Sequence, residues 1–198
     1  ILRRCHTFFE KYWQNVMTLN VIRVPQGCPT VQKAMALAVI FSARKEYTGA
    51  DPLKIRLEEG VHQIVGSSYV NVTCSHITFV GKGKTQTTIR GGFYVHNQHH
   101  VKFEELAVTN QRGYGLQLMG SETNVDVLKC AVKECRGDGM FVVSGATVKA
   151  TQCEFVENGR SGVYCYGANT KARLNECTMH HNGRDGLVAK IDAVVDLH

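Results

Sequence analysis

Four kinds of side chain in this sequence could do chemistry. Asp138 and Asp185 each stand one residue before a glycine, in Arg136-Gly137-Asp138-Gly139 and Gly183-Arg184-Asp185-Gly186. Two carboxylates held on one surface can act as general acid and base. The pair His180-His181 offers imidazoles for proton transfer or metal binding. Arg112, Arg136, Arg160 and Arg184 recur every 24 residues, and guanidinium groups take carboxylate or phosphate in bidentate fashion. Cys130, Cys153 and Cys177 are 23 and 24 residues apart, which is too wide for a metal-ligand motif.

An internal repeat sets where these residues sit. The triplets Ile55-Arg56-Leu57, Ile77-Thr78-Phe79, Val101-Lys102-Phe103, Val125-Asp126-Val127, Val148-Lys149-Ala150, Ala172-Arg173-Leu174 and Val195-Asp196-Leu197 begin 22, 24, 24, 23, 24 and 23 residues apart. Fourteen residues after each start, from the second to the sixth, stand Gly91, Gly115, Gly139, Gly162 and Gly186. A unit this short cannot hold two helices, and its segments are brief, β-branched and alternating. The Leu-x-x-Leu-x-Leu of leucine-rich repeats is absent. The expected fold is all-β, a right-handed parallel β-helix of about seven rungs of 22–24 residues, with equivalent residues stacked about 4.8 Å apart.

That fold sorts the candidates. Cys130, Cys153 and Cys177 share an inward file as small hydrophobes. The glycines supply turn backbone angles. Asp138 and Asp185 share a file two rungs apart, about 9.6 Å, near the separation of an inverting acid–base pair, with Ser161 between them. His180 and His181 should point to opposite faces, with His180 inward or at a corner. The four arginines should line one edge. Residues 25–198 form the β-helix domain, opened by a capping helix at about 30–45. There Thr30 precedes Val31, Ala34, Met35, Ala38 and Val39 at helical spacing, over a mouth that would otherwise expose strand edges. Residues 1–24 read as a helical lead-in with Leu2, Cys5, Phe8 or Phe9 and Trp13 on one face. Val195-Asp196-Leu197-His198 leaves the last rung uncapped, where further rungs or another chain are expected to pack.

The stretch from Thr30 to Arg90 resembles the opening of pectin-lyase-like proteins, pectin methylesterases in particular. The matching residues are Thr30-Val31-Gln32-Lys33-Ala34-Met35, Ile55-Arg56-Leu57-Glu58-Glu59-Gly60-Val61-His62, Phe79-Val80-Gly81-Lys82-Gly83 and Thr87-Thr88-Ile89. The resemblance implies the same architecture and, for the enzymes of that group, action on acidic polysaccharides. Their Gln-Asp-Thr and Asp-Phe-Ile-Phe-Gly strings do not occur here. Of the four polygalacturonase elements only Asn124-Val125-Asp126 is present, with Asp126 in the outward position that Lys102 and Lys149 also hold. Leu2, Cys5, Phe8 and Tyr12-Trp13 resemble the closing segment of an F-box. Asn182-Gly183-Arg184-Asp185-Gly186-Leu187 is similar to the turns of F-box-only β-helix proteins, which implies substrate recognition for a ubiquitin ligase.

The expected function is a non-catalytic recognition or scaffold domain that binds an acidic protein segment or an anionic glycan through Arg112, Arg136, Arg160 and Arg184. The alternative is a carbohydrate-active enzyme (lyase, esterase or hydrolase) with Asp138, Asp185 and His181 as candidate catalytic residues. No cofactor or metal is expected. Lys and Arg number 23 against 17 Asp and Glu, a net charge of +6. The charge is diluted over 198 residues without the dense basic block of nucleic-acid binders. No apolar run reaches the roughly 18–20 residues of a membrane span. The eight cysteines, with no secretory signal beside them, point to reduced thiols in an intracellular protein.

Overall fold

The computed structural model describes residues 19–198. The chain winds into a parallel β-helix of three sheets, visiting each sheet once per coil. Sheet I has eight strands: β1 (Val21–Val24), β2 (Leu53–Leu57), β5 (Ile77–Val80), β8 (Val101–Glu104), β11 (Asn124–Leu128), β14 (Thr147–Thr151), β17 (Lys171–Asn175) and β20 (Val194–Leu197). Sheet II has β3 (Gly60–Gln63), β6 (Thr87–Arg90), β9 (Ala107–Thr109), β12 (Ala131–Lys133), β15 (Glu154–Val156) and β18 (Thr178–His180). Sheet III has β4 (Tyr69–Val72), β7 (Gly92–His96), β10 (Leu116–Met119), β13 (Met140–Val143), β16 (Val163–Tyr166) and β19 (Leu187–Lys190).

All seven triplets lie in sheet I, and the last six pair in register, Phe79 with Phe103, Phe103 with Val127, Val127 with Ala150, Ala150 with Leu174 and Leu174 with Leu197. The first is offset by two residues: Leu53 pairs with Ile77 and Ile55 with Phe79, so Leu53-Lys54-Ile55, not Ile55-Arg56-Leu57, stacks on Ile77-Thr78-Phe79. They make six complete coils, and β20 is a seventh strand. The stack also begins earlier than the triplets suggest. β1 pairs with β2, Ile22 with Ile55 and Val24 with Leu57, so Ile22-Arg23-Val24 is a further apolar triplet, set 33 residues before Ile55-Arg56-Leu57, and its Ile22 and Val24 are fully buried. Lead-in residues 1–18, and with them the F-box-like segment, lie outside the described residues.

The inward files form one continuous core. Its widest part is aromatic. The Phe79 and Phe103 rings stack at 5.2 Å, and Phe93 tilts against them at 4.9 and 4.7 Å. Helix α1 (Val31–Ser42) is capped by Thr30, whose Oγ1 accepts the Lys33 N–H at 3.2 Å. It packs on β1, β2 and β4 and so covers the N-terminal end of the core. Its buried face is Val31, Ala34, Met35, Ala38 and Phe41. The expected Val39 is 42% exposed instead, because Phe41, three residues beyond Ala38, continues the same stripe.

Many of the strands stay short because the chain leaves them through a left-handed residue. Glu105, Lys129, Gln152 and Glu176 have φ of 51–55° between sheets I and II, and Glu134, Glu157 and His181 have φ of 53–56° after sheet II. The cysteine file completes the first of these corners. Cys130, Cys153 and Cys177 donate S–H to the carbonyls of Leu128, Thr151 and Asn175 at 3.3, 3.2 and 3.3 Å, each reaching across the left-handed residue. A small hydrophobe with a weak donor suits this position.

Candidate functional site

The four arginines lie in the turns between sheets II and III, in two registers. Arg160 N–H donates to Gly137 O at 3.2 Å and Arg184 N–H to Arg160 O at 3.0 Å, so Gly137, Arg160 and Arg184 form one file. Gly159 N–H donates to Cys135 O and Gly183 N–H to Asn158 O, each at 2.7 Å, which places Gly159 and Gly183 opposite Arg136. The reason is turn length. Three residues carry the chain from Arg112 to Gly115 and from Arg136 to Gly139, but two from Arg160 to Gly162 and from Arg184 to Gly186. The single edge expected from the 24-residue spacing is therefore split. Arg160 turns toward sheet III, donating to Tyr114 Oη at 3.4 Å and lying 3.9 Å from Asp138 Oδ2. Arg112 lies on the sheet II side, and Arg112, Arg136 and Arg184 are exposed.

Asp138, Ser161 and Asp185 do share a file, since their carbonyls accept in turn from Gly115, Gly139 and Gly162 N–H. The two carboxylates are not equivalent. Asp138 is 1% exposed and its Oδ1 accepts the buried Ser161 N–H at 2.8 Å, whereas Asp185 is exposed. A group spent on the next turn and closed to solvent cannot reach a substrate oxygen. His180 and His181 also depart from expectation. Both are exposed, their Nδ1 atoms are 2.6 Å apart and their rings meet edge to face at 4.8 Å. Alternation fails because His181 has φ 54° and has already left the strand. Among the described residues no group of three or more His, Cys, Asp or Glu side chains could hold a metal ion.

The glycines serve space more than angle. The file is headed by Gly92, not Gly91, and runs through Gly115, Gly139 and Gly162. A Cβ on these four would lie 2.6–2.8 Å from the carbonyl oxygen of the glycine one coil on.

The cysteine file predicts a sharp difference in reactivity. Burial pushes the Cys130, Cys135 and Cys165 thiols up to about 12. Half-buried Cys177 is held below its ordinary value by the neighbouring Cys153, which is raised in turn. Among the cysteines of the described residues, iodoacetamide near pH 7.5 should modify Cys177 first, while Cys130, Cys135 and Cys165 react only on unfolding. Peptide mass mapping that finds those three modified as fast as Cys177 contradicts this assignment.

A groove of about 560 Å³ lies over the outer face of sheet II. Its floor includes Val61, Gln63, Thr88, Arg90, Thr109 and Lys133, and its walls are the turns at Ile64, Ser67 and Ser68 and at Asn110, Gln111 and Arg112. Gln63 pairs with Arg90 and Arg90 with Thr109, and Lys133 continues the file because Val132 pairs with Val108. Arg90 and Lys133 thus stand two strand spacings apart, about 9.6 Å, with the Thr109 hydroxyl between. Glu134 is the one carboxylate among the lining residues, 3.7 Å from the Lys133 ammonium. Beside the groove Lys84 reaches past β9 and β12 to Glu154 at 2.7 Å, across the outward but buried Ala107 and Ala131. Sequence reasoning chose Arg112 here but missed Arg90 and Lys133, whose alignment appears only when the sheet II register is known.

No helix among the described residues is long and apolar enough to cross a membrane. No curated protein matches the chain. Two solved structures share its fold. The Agl-KA catalytic domain aligns with TM-score 0.59 at 18% identity over 86% of this chain and 34% of that one. ORF18 of Geobacillus virus E2 aligns with TM-score 0.61 at 14% identity over 91% and 43%. The chain therefore spans less than half of either, and identities this low speak to fold alone. A family model described as right handed beta helix region matches residues 57–179, from the end of β2 into β18. With its in-register coils and inward files, the chain belongs to the right-handed β-helix family.

Proposed function

We propose that this β-helix is a recognition domain whose working surface is the sheet II groove together with the adjoining arginine turns, and that it takes a carboxylate-bearing chain, an acidic protein segment or an anionic glycan. The observation that carries this reading is the groove's charge: Arg90, Arg112 and Lys133 from three successive coils against Glu134 alone. Hydroxyls and amides fill the space between the cations, and Arg forks suit carboxylates. Charges spread along the axis suit a linear partner better than a compact ion. The F-box-like opening extends the proposal to substrate selection for a ubiquitin ligase, for which co-purification with the ligase adaptor is the test.

Catalysis on an acidic polysaccharide is supported less well. Asp138 is closed to solvent, and Glu134 has no second carboxylate in the groove to complete an acid–base pair. Titration calorimetry with polyglutamate and oligogalacturonate should give binding that weakens with salt. Arg90→Glu with Lys133→Glu should weaken it by about 100-fold or more, while Lys54→Glu on sheet I should leave it unchanged. Equal affinity in the groove variant would overturn the proposal, and new reducing ends that vanish with Glu134→Gln would move the assignment to the enzyme reading.

A further inference from the structure

Where the chain passes from sheet III to sheet I, three histidines meet, His76 and His100 among them one 24-residue period apart. His76 and His100 occupy equivalent left-handed positions, φ 56° and 52°, just before β5 and β8. Their rings stack at 4.9 Å with an interplanar angle of 18°. The His99 ring stands edge-on to both, at 4.8 Å from His76 and 5.5 Å from His100. Ser75 ties the two turns together: its Oγ accepts the His99 N–H at 3.1 Å, donates to Gln98 Oε1 at 3.1 Å and contacts His99 Nδ1 at 3.3 Å. His76 Nδ1 is buried without a hydrogen-bond partner.

The loop of residues 43–52, which joins α1 to β2, lies against this cluster. Gly49 packs on the His100 ring so closely that a Cβ would be 3.3 Å from Nδ1. The charges of the loop are mostly spent on each other and on Asn20, which precedes β1. Lys45 donates to Asn20 Oδ1 at 2.6 Å, Asn20 donates to Asp51 Oδ1 at 2.6 Å, and Lys45 lies 3.6 Å from Asp51. Arg44 and Glu46 complete the loop's charges, and Glu46 acts on His76. Tyr47, from the same loop, is buried, as is Cys74 on the turn before His76.

We propose that His76, His99 and His100 form a proton-operated clasp: neutral, the rings hold the 43–52 loop and the capping helix on the first coils, and protonation on acidification releases them. Neutral rings can stack at these distances, but imidazolium groups repel and His76 has no acceptor to receive a second proton. Burial, then His99 and His100, hold His76 below its ordinary value against the opposing pull of Glu46. The unfolded chain takes up its proton near pH 6.5, so the stabilisation is complete above that pH and is lost as pH falls below it.

Hydrogen–deuterium exchange of the 43–52 amides, corrected for the intrinsic effect of pH, tests the clasp. Protection should be equal at pH 8 and 7 and fall at least tenfold by pH 5, with the amides of β11 and β14 unaffected. His76→Asn with His100→Asn keeps side chains at ease in the left-handed region and removes two of the three charges, so its protection should be flat. Wild-type protection that stays flat to pH 5, or an equal fall in the variant, overturns the proposal. Should the variant fail to fold, NMR titration of the wild type decides: a His76 midpoint below about 6.5 supports the clasp and one at or above that value refutes it.

Discussion

Phe103→Ala is expected to destabilise the protein by about 3–5 kcal/mol, seen as a fall in Tm of roughly 10 °C for a chain of this size. Phe103 has no exposed surface and touches the Phe79 ring face to face and the Phe93 ring at an angle. Removing it strips contacts from two coils at once. Its neighbours are held in register by the strand ladders on both sides, so the cavity cannot collapse without breaking the stack. Phe103→Leu, which keeps most of the volume, should cost less than about 1.5 kcal/mol. Because each coil leans chiefly on its neighbours, exchange protection should drop first in β5, β8 and β11 and last in β17. A change under about 1 kcal/mol for Phe103→Ala would mean that the core is not packed as described.

The second large effect is expected from one methyl group. In Gly139→Ala the new carbon would lie 2.7 Å from Gly162 O and 2.7 Å from Asn158 Nδ2. Neither can move freely. The Gly162 carbonyl accepts the Met140 N–H at 2.9 Å, and Asn158 Nδ2 donates to Val132 O at 3.1 Å and to Asn182 Oδ1 at 3.0 Å. The fourth and fifth coils must separate at that corner, at a cost of about 3 kcal/mol. Gly186→Ala is the matched control, because its nearest atom would be a Met179 side-chain carbon at 3.3 Å. Urea unfolding should rank Gly139→Ala far below Gly186→Ala, and equal midpoints would refute the close approach.

How far the sequence reveals this protein depends on the range of the interaction involved. Like residues stack on like, so the file from Phe79 to Leu197, the cysteine file and the glycine file from Gly115 on were legible from spacing. Thr30 marked its helix for a local reason, the cap. What spacing could not show were offsets of a single residue. Gly91 and Gly92 are both glycine, and only the pairing of Phe93 with Leu116 selects Gly92. The 24-residue arginine period hides the shorter turn before Gly162, which divides Arg112 and Arg136 from Arg160 and Arg184. The alternation rule failed at His181 because a left-handed corner ends the strand there. β1 was hidden because the capping helix stands between Ile22-Arg23-Val24 and the next triplet and stretches their spacing to 33 residues. Arg90 and Lys133 come from different coils and carry no common motif, and while His76 and His100 lie one period apart, the edge-on His99 and the 43–52 loop against them come from outside that file.

The proposal that the sheet II groove holds a carboxylate-bearing chain is tested most directly by a crystal structure of the protein soaked with an oligogalacturonate or a hexaglutamate peptide. The account predicts an elongated ligand along the helix axis, with carboxylates on Arg90, Arg112 and Lys133 and the backbone of the coils unmoved. Ligand seated instead on the outer face of sheet I or sheet III, with this groove left to solvent, would contradict it.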